Sequence, residues 1–263
     1  LRRLLGTRRI GHAGTLDPMA TGVLILGVNR ATRMLGYLAL HDKRYLATVR
    51  LGQGSTTDDA DGEIAAVADA SGITPDDLEP VLDSLRGRIQ QVPSAVSAIK
   101  VNGKRAYDLA RRGMDVKLKA REVEVTHLDV LASRPGEGVL DLDIDVECSS
   151  GTYVRAIARD LGKSLGVGGH LTALRRTRIG SYDLSVAVEL GEDSPTMMSM
   201  ADAAKRSFPC LTVDHGMATD VSFGRRLDLN VTTDVTGILS PAGKLLALYR
   251  PDGDGARPVA VLV

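Results

Sequence analysis

Between Leu140 and Cys148 the chain alternates without a break. Leu140, Leu142, Ile144, Val146 and Cys148 are apolar, and Asp141, Asp143, Asp145 and Glu147 between them are all acidic. Period two is the signature of a β-strand, whose successive side chains point to opposite faces. One face of this strand therefore belongs to a core and the other is fully charged. Pro135-Gly136-Glu137-Gly138 supplies a turn just before it, and residues 121–131 supply an antiparallel partner. The core it faces is aliphatic, because the chain has no Trp and only two Phe among its 263 residues.

Other segments fill in the class. Residues 22–28 read as a buried strand bounded by glycines, and Tyr45, Ala47, Val49 and Leu51 mark a strand over 43–51 with one wet face. Residues 52–63, rich in Gly, Ser, Thr and Asp, read as a loop. Thr74-Pro75-Asp76-Asp77 opens a helix that runs to about Leu85: Thr caps it, Pro occupies its first turn, and the carboxylates meet the positive end of its dipole. Residues 104–112 fit a short basic helix closed by Gly113. Val154, Ile157, Ala158, Leu161 and Leu165 form the apolar stripe of a helix ending near Gly166. The order lacks a regular βαβ beat, so the fold class is α+β, with a mixed, largely antiparallel sheet flanked by helices. The texture changes near residue 190. Residues 1–190 read as the main domain, 191–209 as a linker with a short helix, and 210–263 as a small C-terminal β-rich module.

Composition excludes several classes. The longest apolar run, 22–28, is about a third of the roughly 20 residues a bilayer span needs, so no membrane helix is expected. Cys148 and Cys210 make neither a disulfide framework nor a metal spacing, and the histidines are scattered. A cytoplasmic setting is the expectation.

Net charge is zero, from 33 basic and 33 acidic residues, but the charges fall in blocks. Residues 1–34 carry +5, 51–85 carry −9, 86–122 carry +7, 123–148 carry −6 and 149–180 carry +5. Two readings stand: a mixed solvated surface, or three basic segments forming one positive face for a polyanion, with the acidic segments behind it.

The segment Gly11-His12-Ala13-Gly14-Thr15-Leu16-Asp17-Pro18-Met19-Ala20-Thr21-Gly22 stands apart. One carboxylate sits among uncharged neighbours, and Pro18 biases Asp17 away from helical angles. By itself an Asp-Pro pair reads as a turn or a helix cap. There is no Gly-Lys-Ser/Thr phosphate loop and no Gly-x-Gly-x-x-Gly. Further blocks follow in order: Lys43-Arg44-Tyr45, Leu51 to Asp58 with Asp61-Gly62, Gln91-Val92-Pro93-Ser94, Ser97 to Tyr107, Ser150-Gly151-Thr152-Tyr153-Val154-Arg155, and Leu174-Arg175-Arg176-Thr177. In this arrangement the chain closely resembles the TruB family of pseudouridine synthases over about residues 6–183. The tail resembles, less distinctly, the family's small C-terminal RNA-binding module of PUA type. The family's usual opening strand, with its Lys-Pro-x-Gly-x-Thr-Ser element, has no counterpart here and is expected to precede Leu1 in the natural protein.

The resemblance implies a pseudouridine-synthase-like fold and isomerisation of the T-loop uridine at tRNA position 55 to pseudouridine. The N1–C1′ bond breaks, the uracil turns over and a C5–C1′ bond forms. No redox, phosphoryl or metal step is needed, so no cofactor is expected. The family's essential aspartate maps onto Asp17, its active-site arginine onto Arg155 and its base-stacking tyrosine onto Tyr45. Taken alone, Arg155 would equally be a surface helix arginine and Tyr45 half-buried packing. Tyr153 is expected to line the same pocket, Leu174 to contact the substrate RNA, and His12 to fill the space left by the flipped base. Lys100, Lys104, Arg105, Arg111 and Arg112, within the +7 block, suit phosphate contacts, against the plainer reading of a solvated face. The expected partner is the tRNA T-arm stem-loop, with no membrane and no obligate protein partner, and the chain is expected to be a monomer. Two rival readings are a guide-RNA-dependent ribosomal RNA pseudouridine synthase and an RNA-binding or RNA-folding factor without chemistry.

Overall fold

The computed structural model describes residues 1–94, 118–191 and 195–263, with the backbone of 100–101 and 104–105. The chain divides into two compact units, one of residues 1–15, 23–41 and 180–263, the other of residues 16–22 and 42–179.

The second unit is built on an antiparallel sheet. Its strands run in the order β12 (Gly169–Ile179), β4 (Lys43–Leu51), β11 (Leu140–Cys148), β10 (Arg121–Pro135) and β7 (Gly87–Gln91), and the short β2 (Thr21–Gly22) lies parallel to β12. The alternation over 140–148 has the predicted outcome: Leu140, Leu142, Ile144, Val146 and Cys148 are buried in one core with Tyr45, Ala47, Val49 and Leu51 of β4. Two helices complete that core, α2 (Pro75–Leu85) through Leu78, Leu82 and Leu85 and α3 (Val154–Ser164) through Val154, Ile157, Ala158 and Leu161. Thr74 and Asp77 close a capping box at the start of α2, which tolerates Pro80 inside it.

The acidic face of β11 is not a bare surface. Arg50 of β4 forks onto Asp141 with two hydrogen bonds of 2.8 Å, Arg44 binds Asp145, Arg134 of β10 binds Asp143, and Arg178 of β12 reaches Glu147 at 2.7 Å. The hydrogen bonds from these arginines hold Asp141, Asp143 and Asp145 below the ordinary carboxylate value. The acidic block over 123–148 is thus largely matched within its own sheet, pair by pair across neighbouring strands.

Three readings need correction. Residues 22–28 are not one buried strand: β2 ends at Gly22, and β3 (Ile25–Val28) pairs with β1 (Ile10–Ala13) in a two-stranded ribbon that leaves Leu24 and Leu26 exposed. An apolar run cannot by itself distinguish a covered strand from a ribbon. The loop expected over 52–63 begins as β5 (Gln53–Ser55), a hairpin strand paired with β6 (Ile64–Ala66). Lys104 and Arg105, expected at the start of a helix, form β9 (Lys104–Arg105), paired with β8 (Lys100–Val101), because adjacent strand pairing satisfies their backbone locally. The rest of that expected helix lies outside the described residues.

The first unit holds the β1–β3 ribbon, α1 (Leu35–Leu38), β13 (Tyr182–Asp183), α4 (Met200–Ser207) and a four-stranded sheet of β14 (Cys210–Thr212), β15 (Thr236–Leu239), β16 (Leu245–Asp252) and β17 (Gly255–Val261). The sheet is the β-rich C-terminal module anticipated from its turn residues, with one addition, α5 (His215–Ser222), capped by Asp214. Its core gathers Val213, Val221, Ile238, Leu246, Ala247 and Tyr249.

Gly162 sets how closely α3 lies on β12. A Cβ there would meet the carbonyl carbon of Gly168 at 2.2 Å. Glycine to alanine in a helix ordinarily stabilises by about 1 kcal/mol. Here the sign reverses: Gly162→Ala is expected to destabilise the protein by about 1–3 kcal/mol through overpacking, read by urea unfolding. A stabilised variant would show that the helix shifts freely.

Candidate active site

Asp17 begins a tight turn in which the Ala20 N–H donates to the Asp17 carbonyl at 2.9 Å, with Pro18 in the position its fixed φ favours. Met19 and Ala20 then pack against the core. The segment is docked at its far end by Gly22, which lies opposite Arg176 in the β2–β12 pairing at φ +97. A Cβ on Gly22 would fall 2.1 Å from the Arg176 carbonyl oxygen, so only glycine lets the two backbones approach this closely.

The turn leaves the Asp17 carboxylate partly exposed and bonded to Arg155. The Arg155 Nη2 donates to Asp17 Oδ1 at 2.8 Å, and Nη1 donates to the Thr57 carbonyl at 3.0 Å and lies 3.2 Å from Asp59 Oδ2. Arg155 stands in the first turn of α3 and is only 4% exposed. It is a buried guanidinium and not a surface helix residue. An arginine cannot shed its proton, so burial forces this matching by two carboxylates and a carbonyl. Asp59 is itself buried and held by the Thr57 hydroxyl and by the Asp61 N–H at 3.1 Å.

Burial is the largest influence on Asp17 and raises its carboxyl above the ordinary 3.8; Arg155 opposes this, and the Asp59 charge adds to it. Tyr45 lies on β4 directly opposite Arg176 of β12 and shares a hydrogen bond with it. Burial pushes the Tyr45 phenol up to about 12, so it is neutral throughout the physiological range. Arg176, at 1% exposure, also acts electrostatically on Asp17. Asp17, Arg155, Asp59, Arg176 and Tyr45 therefore form one electrostatic cluster: a carboxylate open to solvent, backed by two buried cations and flanked by a phenol. Such a set can present an anion to an electron-poor carbon or to an acidic proton, and a phenol donor beside it.

The other candidate residues fall as follows. Leu174 is buried in the core opposite Ala47, two positions before Arg176 on β12. Tyr153 is half-buried at the start of α3, its backbone N–H and carbonyl both bonded to the buried Gln91 amide at 2.8 and 3.1 Å, its ring 4.9 Å under the Arg121 guanidinium. His12 is exposed on β1, opposite Leu26, in the first unit. The side chains of Lys100, Lys104 and Arg105, and all of Arg111 and Arg112, lie outside the described residues. Among the described residues no group of three His, Cys, Asp or Glu side chains could hold a metal ion, and no helix is long and apolar enough to cross a membrane.

Sequence reasoning missed Asp59, Arg176 and Gln91 as parts of this site. Asp59 was hidden in an acidic block that reads as surface. Arg176 sits in the run Arg175-Arg176-Thr177-Arg178, yet its spacing of two from Leu174 was a usable signal that it shares the inward face.

Residues 2–154 match the family described as TruB family pseudouridylate synthase (N terminal domain), and the "tRNA pseudouridine synthase B" of Cutibacterium acnes is 55% identical over 270 residues, spanning all of this chain and 92% of that protein. The chain belongs to the TruB family. The rest of the TruB chain matches too: residues 155–205 the tRNA pseudouridylate synthase B C-terminal domain, and residues 208–263 the tRNA Pseudouridine synthase II, C terminal. The protein of the same name from Rhodococcus jostii is 51% identical, covering 99% of this chain and 87% of its own. Two solved structures share the fold at TM-score 0.69: an H/ACA RNP bound to a substrate RNA containing 2′-deoxyuridine, at 20% identity, and a Cbf5-Nop10-Gar1 complex, at 21%. Each covers all of this chain, and this chain spans 78% and 79% of theirs.

The raised Asp17 carboxyl has a consequence for stability. Between 3.8 and its higher folded value the folded TruB chain binds more protons than the unfolded one, so stability falls as pH rises through that window. Asp17→Asn carries no titrating proton and is expected to lack that fall. Urea unfolding of both proteins across pH 4–7 reads the difference; parallel pH profiles would show that Asp17 is not desolvated.

Proposed function

We propose that this chain isomerises the T-loop uridine at position 55 of tRNA to pseudouridine, with Asp17 as its essential carboxylate. It is an isomerase of the TruB family, and the relatives at 51–55% identity bear the name of a tRNA pseudouridine synthase. The observation that carries the reading is the Asp17–Arg155 pair: a partly exposed carboxylate that burial pushes toward its neutral form and that a buried arginine 2.8 Å away pulls back toward its charged one.

In this reading the target uridine leaves the T-loop stack and enters beside Asp17. Tyr45 lies along the uracil, with its phenol neutral, Tyr153 closes the pocket that excludes water, and Leu174 contacts the substrate RNA. Arg155 holds the carboxylate in the charged state the reaction requires. The bond from C1′ to N1 is exchanged for one from C1′ to C5, so no atom is added or lost and no cofactor is called for. His12 fills the gap left in the loop. Lys100, Lys104, Arg105, Arg111 and Arg112 contact phosphates, and residues 210–263 act as a small RNA-binding module attached to the catalytic residues 1–190 through 191–209. The T-arm alone suffices as partner, the chain works as a monomer without a protein partner, and the cytoplasm, where tRNA is modified, is its compartment. The two H/ACA-type structures bear on the fold alone at their level of identity.

The test is pseudouridine mapping on an unmodified T-arm stem-loop incubated with the purified protein. Asp17→Asn keeps the side chain's shape and removes its charge, so turnover is expected to vanish while RNA binding survives. Appreciable pseudouridine from that variant would end the assignment of Asp17.

A second expectation follows from an isomerisation without cofactor. Activity on a small, stable stem-loop is expected to persist in excess EDTA and without nucleotide. Loss of activity restored by one particular metal would contradict it.

A further inference from the structure

Asp58 is one of two non-glycine residues with a positive φ among those described, at +61. Only short polar side chains such as Asp and Asn visit that region with any ease. Its N–H donates to the Ser55 carbonyl at 3.3 Å, and its carbonyl accepts from the Leu171 N–H of β12 at 3.0 Å. Its carboxylate Oδ2 lies 3.1 Å from Arg159 Nη1. Arg159 is one helical turn beyond Arg155 on α3, donates from Nη2 to the Val92 carbonyl at 2.7 Å, and donates from Nε to Asp160 at 2.9 Å.

Two neighbouring carboxylates thus meet two arginines spaced one turn apart on the same helix: Asp59 with Arg155, Asp58 with Arg159. In an extended chain, adjacent side chains point to opposite sides and could not both face α3. The left-handed backbone at Asp58 turns them to the same side. It also presents the Thr57 carbonyl to the same Nη1 of Arg155 that Asp59 approaches.

We propose that Asp58 and Arg159 are positioning residues: their ion pair holds the 57–59 turn in the one conformation that aims the Thr57 carbonyl and the Asp59 carboxylate at Arg155, and so fixes Arg155 against Asp17. Neither touches the substrate. Arg159 in turn ties the turn to Val92, so that β7's exit, the turn and α3 form one braced unit around the catalytic pair. The inference rests on the function proposed above for Asp17 and Arg155.

Single-turnover pseudouridine formation and RNA affinity are measured on the T-arm stem-loop for Asp58→Ala, Asp58→Gly and Arg159→Met, with thermal unfolding to show that each is folded at assay temperature. Asp58→Ala and Arg159→Met are expected to slow the chemical step by about 10- to 100-fold, as misplacement of a catalytic group does. RNA affinity is expected to stay within about twofold, since neither side chain binds substrate. Asp58→Gly accepts the positive φ while losing the ion pair, so its loss is smaller than that of Asp58→Ala. The double variant Asp58→Ala/Arg159→Met is no slower than the slower single one, because the two act as one pair.

A second readout needs no RNA. Resolved ¹⁵N signals from Arg155 Nη1 and Nη2 are expected in the parent and are expected to merge in Arg159→Met as the Nη1 partners loosen. Unchanged rates in the folded variants, a loss confined to RNA affinity, or Arg155 signals indifferent to Arg159→Met would each overturn the proposal. An inactive parent would instead overturn the functional reading, and the Arg155 signals would then decide the positioning role alone.

Discussion

A guanidinium that cannot be neutralised is buried in the second unit, and the residues around it are arranged to match it. Arg155 receives Asp17 from a turn near the start of the chain, Asp59 and the Thr57 carbonyl from the loop after β5, and its own placement from α3. The partners come from two separate segments and the arginine from a third, so turn, loop and helix must be in place together. A buried arginine with one carboxylate removed is left with charge it cannot discharge. The matching carboxylates offset the cost of burying the guanidinium, while Asp17 keeps a partly exposed carboxylate.

The sheet makes this possible by being asymmetric. Its inner face is aliphatic and carries α2 and α3, and its outer face carries the arginine–carboxylate pairs from β4, β10, β11 and β12. Individually, such exposed pairs contribute little to stability. Their effect is on register: a slip of one residue would bring the acidic positions of β11 into the core. The inner face then fixes α3 at the short distance that Gly162 allows, and the N-terminal turn of α3 sets Arg155 at its depth.

Much of the fold was legible because it depends on local pattern. The alternation over 140–148, the Thr74-Pro75 helix start and the stripe from Val154 to Leu165 each encode an element through periodicity or capping chemistry, and each formed. The apolar run over 22–28 misled because apolarity alone fixes neither the pairing of a segment nor its burial, and Leu24 and Leu26 are exposed. Its first residue, Gly22, ends β2 against β12, and its last four form β3 against β1. In the site, Asp17, Arg155 and Tyr45 were reachable through ordered motifs. Asp59 was not, because charge count alone places such a residue on the surface, and Arg176 was signalled only by its spacing of two from Leu174.

Asp17 was marked out only by the family resemblance of its segment, whereas the sequence by itself determined the elements with a clear period or cap and the inward faces of β4, β11 and α3. These follow from short-range physics: side-chain period, turn chemistry and capping. Only the tertiary structure decided which charges are buried and what neutralises them. Arg155 and Asp17 are 138 positions apart and meet at 2.8 Å, while Arg175 and Arg176 are adjacent and differ because one faces solvent and the other the core. Burial is a property of the packed chain, and with it go the raised Asp17 carboxyl, the neutral Tyr45 phenol and the pairing of Arg155 with two acids at once.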